Sequence, residues 1–286
     1  MENAIEVINQ REEAPRRTLA DRLNGVLNRL SDYRFAEYFD KVIGVTLVAV
    51  AWEAAPRLGW IDPFLLPPLS EVLQSIVDLT RAGKMSAHFA ASFNRSFTGF
   101  VIALLFAIPT GFLIAKSKTV ERYLDPLLQV CRSIPTLALY PVFILFFGLS
   151  EQSKIAVVLF GTVWPALLNT ISGVDEVDPL LVKAARSMGI SHLALFSKVI
   201  LPAALPSILT GIRLSAANAI LLLVAAEMLG ASKGLGFLIF YSEEKYDIPI
   251  MFGGILTIAV IGVVINWLLV ACERRLTGWK QHPGAF

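Results

Sequence analysis

Long apolar stretches alternate with short polar ones from about residue 42 onward. Ser96–Ala115, Ile155–Val174 and Ile248–Cys272 each run twenty residues or more without a charged side chain. About 20 apolar residues cross the hydrocarbon core of a bilayer as a helix, so these segments predict membrane spans. Three more segments match them while carrying one or two charges. They are Val42–Trp60 with Glu53 and Arg57, Pro126–Leu149 with Arg132, and Leu205–Leu229 with Arg213 and Glu227. The pattern predicts an all-α membrane protein with six transmembrane helices.

Composition agrees: 55% of residues are hydrophobic, 17% are charged, and mean hydropathy is +0.64. The chain divides into a polar extension over 1–41, a transmembrane domain over 42–273 and a tail over 274–286. The charged first 41 residues do not read as a cleavable signal peptide. Within them Leu19, Leu23, Val26, Leu27 and Leu30 recur at helical spacing opposite Asp21, Arg22 and Arg29. That pattern predicts an amphipathic helix lying along the inner membrane surface.

Lysine and arginine set the orientation. With both termini inside, the cytoplasmic segments carry sixteen of these residues and the outer segments five. Residues 172–208 then face the cytoplasm.

That cytoplasmic segment has its own punctuation. Asp178 suits a helix N-cap and Pro179 the first helical position, where its missing N–H costs nothing. Ala184 and Ala185 are small enough to let another protein approach the helix closely. Gly189 fits the left-handed residue just past a helix C-terminus. Ser191 can cap a second short helix, 192–199, which Pro202 is expected to end. A rigid helix–turn–helix over about 175–204, held outside the bilayer, is the expected product. A connection this long is more often functional than idle.

Ala184-Ala185, then Gly189, then Leu201-Pro202 resembles the cytoplasmic ATPase-docking loop of ABC importer permeases. Lys183 stands where that family has an acidic residue. Further matches are Phe64-Leu65-Leu66-Pro67-Pro68, Arg132-x-Ile134-Pro135, Ala138-x-x-Pro141, Thr210-Gly211-x-Arg213, Ala226-Glu227 and Gly234-Leu235-Gly236. Together they resemble the nitrate/taurine/aliphatic-sulfonate/bicarbonate branch of binding-protein-dependent permeases. The resemblance implies a type I importer fold in a bacterial plasma membrane. Its implied partners are two ATPase subunits that bind ATP-Mg, a second permease copy and an extracytoplasmic solute-binding protein. It places Lys183, Ala184, Ala185, Gly189, Leu193 and Pro202 in the docking loop.

Charged residues inside spans are functional candidates, because each is costly in the bilayer. Arg132, beside a helix-breaking Pro135, is a candidate either for the solute pathway or for a structural kink. Arg95 opens the second span and Glu227 closes the fifth, both at the outer side, so the two are either a pair in an outer gate or two unrelated interfacial charges. Arg213 reads as packing beneath the docking loop, and Glu53 is expected to pair with a neighbouring helix.

No G-x-x-x-x-G-K-[ST] occurs, so ATP is expected on a partner rather than on this chain. Gly230–Gly236 follows a membrane helix and reads as a tight outer turn. His88, His192 and His282 lack ligand spacing, and Cys131 and Cys272 read as packing residues near the inner boundary. A secondary transporter should show paired repeats and midplane carboxylates, and a membrane enzyme should show clustered polar groups at one depth. Neither pattern is visible, nor is any signature for nucleic acid.

Overall fold

The computed structural model describes residues 34–278. The amphipathic helix expected over 19–30, the end of the tail and His282 lie outside the described residues. Two compact units divide the chain after Leu69.

The first unit contains helix α1 (Arg34–Arg57) and the turn that follows. Glu53 pairs with Arg57, one turn along the same helix, at 2.6 Å. The Asp62 carboxylate and carbonyl accept the amides of Phe64, Leu65 and Leu66, which folds the Phe-Leu-Leu-Pro-Pro motif into a turn. Trp52 Nε1 donates to the Pro67 carbonyl at 3.0 Å.

The second unit begins one residue into α2 (Leu69–Arg81) and continues with α3 (Lys84–Ala115). Then come α4 (Lys118–Ser133), a 3₁₀ turn (Thr136–Leu139), α5 (Tyr140–Phe147) and α6 (Glu151–Asp175). Two short helices, α7 (Pro179–Ser187) and α8 (His192–Leu195), lead through a π turn (Phe196–Ile200) into α9 (Leu201–Gly230). The unit closes with α10 (Leu235–Glu244) and α11 (Ile248–Leu276).

Among the described residues, four helical stretches are long and apolar enough to cross a membrane: Lys84–Ala115, Glu151–Asp175, His192–Gly230 and Ile248–Leu276. The segment expected as a single third span is broken. Lys118–Ser133 and Thr136–Phe147 meet at 81°, and the pair makes a fifth crossing if counted as one span. Pro135 sits at the break with extended backbone, having no N–H to carry a helix through.

Helices α3, α6 and α9 form the packed heart of the unit. Hydrocarbon around a membrane protein gives little drive to press helices together, so close contact depends on small residues. A Cβ added at Gly211 of α9 would lie 2.7 Å from Asn169 Cβ and 2.9 Å from the Pro165 carbonyl of α6. One at Gly173 of α6 would lie 2.7 Å from Ser207 Cβ of α9, and one at Gly99 of α3 would lie 2.8 Å from Val158 of α6. Pro165 inside α6 frees carbonyls one turn back. Ser215 and Asn218 of α9 donate to Thr162 and Gly161 there, at 2.7 and 3.5 Å, so the break becomes interhelical glue.

Candidate functional site: a capped loop at one end and a buried ion cluster at the other

Chain direction places two distinctive regions at opposite ends of the α6–α9 pair. At one end, the loop between them folds from its own caps. Asp178 Oδ1 accepts the Leu180 amide at 2.8 Å, with Pro179 at the first turn, and starts α7. Gly189 ends that helix at φ +72°, and Ser191 Oγ accepts the Ala194 amide at 3.3 Å to start α8. Phe196 packs edge-on against Phe112 of α3 with ring centroids 5.0 Å apart.

Two details differ from the sequence reading. Pro202 does not end the second helix, because the chain continues unbroken to Gly230. The π turn at 196–200 widens the helix just before the proline, and a wider turn accommodates a ring that lacks an N–H. Ala185 turns inward and is buried, whereas Lys183, Ala184, Gly189 and Leu193 are exposed. Adjacent side chains on a helix point in different directions, and Ala185 falls on the inward face of α7 while Ala184 does not.

The loop also exposes apolar side chains. Leu180 is 69%, Met188 80% and Leu193 77% exposed at what would otherwise be a water-facing end. Exposed apolar groups of this kind occur where a protein or a membrane surface is contacted. Sequence reasoning missed Leu180 and Met188, although a leucine beside a cap and a methionine beside a left-handed glycine are visible signals.

At the opposite end, Arg95 and Glu227 are both buried and pair at 2.6 Å. Glu227 is wholly inaccessible. It also accepts from Ser92 Oγ, at 2.8 Å to Oε2, and from the Gly236 amide at 3.0 Å. Ser92 in turn accepts the Leu235 amide at 2.8 Å, and His88 Nδ1 accepts the Gly234 amide at 3.1 Å. Arg95 donates to the Lys233 carbonyl as well. Its other face makes a two-pronged contact with Glu151, Nε to Oε2 and Nη2 to Oε1. The cluster thus ties α3, α6, α9 and the 233–236 turn together.

Local sequence permits this crowding. Gly234 adopts φ +135°, and a Cβ there would fall inside the Glu227 carboxyl group. Ser150 caps α6 by accepting the Gln152 amide at 3.2 Å, which sets Glu151 in the first turn facing Arg95. Lys154, also buried, donates to the Ser150 carbonyl at 3.0 Å. Of the two alternatives open in the sequence, a pair or two unrelated interfacial charges, Arg95 and Glu227 form the pair. Glu151, Ser92 and His88 were missed, because an acid in a first helical turn looks like an ordinary dipole partner.

The remaining candidates lie apart from both regions. Arg132 and Pro135 are exposed at the break between α4 and α5. Arg213 reaches across to Glu273 of α11 at 3.1 Å. Among the described residues, no three His, Cys, Asp or Glu side chains converge on a possible metal site.

Residues 103–278 match the family model described as "Binding-protein-dependent transport system inner membrane component". The chain belongs to that family. A Bacillus subtilis protein described as a putative aliphatic sulfonates transport permease, SsuC, is 36% identical, over 82% of this chain and 85% of its own length. The Escherichia coli taurine transport system permease protein TauC is 35% identical, over 82% and 87%. Among solved structures, a chain of the MetNI methionine ABC transporter in an inward-facing conformation aligns with TM-score 0.56 and 20% identity. That alignment covers 76% of this chain and 99% of the other, and it supports the fold. This permease is therefore an ABC-importer membrane component, a multi-pass transport subunit rather than an enzyme. Its family implies an ATPase and a solute-binding protein as partners.

Proposed function

We propose that this permease imports a small anion of the sulfonate or taurine class, working as a homodimer with two ATPase subunits seated on residues 178–202. The observation that carries the coupling role is the capped loop with Leu180, Met188 and Leu193 exposed on it. A self-capped helix pair that leaves its apolar side chains uncovered is suited to receive a rigid partner. Lys183 and Arg186 beside them favour an acidic rim on the ATPase.

The lysine and arginine asymmetry supports placing this loop and both termini in the cytoplasm. Single-cysteine labelling in a background lacking Cys131 and Cys272 tests that orientation. S191C should react only after the membrane is permeabilised, and T80C should react from outside. The reverse result overturns it.

Gly189→Val tests the seat itself. Nothing lies within 4 Å of a Cβ built at Gly189, so the cost is purely that of a left-handed backbone. That cost is about 1–2 kcal/mol, confined to the turn between α7 and α8. The variant should insert normally yet retain less ATPase on co-purification and lose uptake. Undiminished ATPase retention would remove the loop from the docking role.

The sulfonate or taurine preference follows the two relatives' names and the exposed Arg132 at the α4–α5 break. In a two-fold dimer with that break near the axis, Arg132 appears twice and draws anions into a region of lowered dielectric. Arg132→Gln keeps hydrogen-bonding capacity and removes the charge. Assembly should be normal, with anion uptake reduced or its preference among anions changed. Normal uptake would take Arg132 out of the pathway.

The buried cluster then closes the opposite, outer end. Arg95 and Glu227 are placed to anchor the outer gate.

A further inference from the structure

Side chains of α3 and α9 hold the 233–236 turn through a run of hydrogen bonds. Arg95 donates to the Lys233 carbonyl, while His88, Ser92 and Glu227 accept the Gly234, Leu235 and Gly236 amides in succession. The same imidazole stacks on Phe237, in the first turn of α10, with ring centroids 6.1 Å apart. Three of these four groups keep one state across the ordinary pH range. Arginine stays charged, the serine hydroxyl stays neutral, and Glu227 is paired with Arg95. Histidine alone among them changes charge between about pH 5 and 8.

A backbone amide can only donate, so the 3.1 Å bond from Gly234 requires a bare Nδ1 and a neutral His88. Protonation makes both ring nitrogens donors and sets two N–H groups against each other. It also upsets a charge balance. Arg95 and Lys154 offset Glu227 and Glu151 within the cluster. The charged groups facing His88 are Lys84 of α3, Lys233 of the turn and Glu227 of α9, and α10 adds the Tyr241 phenol, stacked beyond Phe237. Glu227 is already paired, so an imidazolium would be an unmatched cation at the N-terminal, positive end of α10. His88 is half-buried rather than sealed, so protons have access to it.

We propose that His88 is a proton-operated latch on the 233–236 turn: neutral, it holds the start of α10 against α3, and protonated, it lets go. The consequence for transport rests on the outer-gate reading above: acid on the outer side slackens the gate.

Hydrogen–deuterium exchange of the complete permease–ATPase complex in nanodiscs reads the latch without reference to orientation or transport. Corrected for intrinsic exchange, protection over 234–236 should fall about tenfold from about pH 8 to about pH 5, the order expected when a buried amide loses its acceptor. His88→Asn puts a carbonyl oxygen that does not titrate near the place of Nδ1, and should stay protected throughout. His88→Leu removes the acceptor, and should show the acid level of exchange already at about pH 8. A flat parent profile, or a fall that His88→Asn reproduces, overturns the proposal. So does full protection in His88→Leu. Uptake into proteoliposomes with acid on the binding-protein side alone reads the consequence: the parent should lose uptake there, and His88→Asn should not show that loss. Exchange that responds while uptake does not would defeat the outer-gate reading and leave the latch standing.

Discussion

Arg95→Met should destabilise this permease more than any other single side-chain truncation in its outer half. Glu227 is wholly buried and would lose the cation paired directly with it, keeping hydrogen bonds from Ser92 and one backbone amide. Removing one partner of a buried pair costs about 3–5 kcal/mol. For a protein of this size that lowers the unfolding temperature by about 10 °C. Glu227→Gln should cost less, because Arg95 retains its two-pronged contact with Glu151. The double variant Arg95→Met/Glu227→Leu should recover much of the loss, since well-packed apolar groups replace a buried pair at little cost. Thermal unfolding in nanodiscs reads all three. Uptake separates clamp from gate: if the cluster gates, the double variant regains stability without regaining transport. Equal stability in all three variants contradicts the account of the cluster.

The second large effect is expected at Gly211. A side chain there meets a Cβ and a backbone carbonyl of α6 at 2.7 and 2.9 Å, and neither can rotate away. Gly211→Val must push α9 off α6. Overpacking of this kind costs about 1–3 kcal/mol, and more where backbone blocks relief. The folded yield should fall sharply. Gly262→Ala in α11 is the control, since no atom lies within 4 Å of its added Cβ. That variant should behave as the parent. Similar losses at both sites would deny that close helix approach holds the unit together.

Much of this was legible in the chain because membrane insertion imposes simple conditions. Ser96–Ala115 and Ile248–Cys272 have to be helices, since a bilayer offers their backbone no other partner. The caps at Asp178 and Ser191 and the left-handed Gly189 could be read because each acts within three residues of itself. Arg95 and Glu227 could be placed at the same end by counting spans.

What escaped was non-local or depended on helix phase. Nothing near Glu151 in sequence shows that it grips a side chain on α3. Ala185 and Ala184 look alike until the inward face of α7 is known. Pro202 reads as a stop unless the π turn before it is seen, and no local residue signals that turn. Arg57, four residues on in the same helix, meets Glu53, and a local partner of that kind is easily overlooked when a charge sits inside a span.

The central claim is that energy enters at the 178–202 loop and solute enters at the opposite end. Uptake by proteoliposomes containing the permease–ATPase complex tests it most directly. ATP and the solute-binding protein are each confined to one side, and sidedness is reported by S191C labelling. The account predicts uptake only when ATP is on the face where S191C reacts and the binding protein is on the other. Uptake that persists without ATP, or with the two placements reversed, would contradict it.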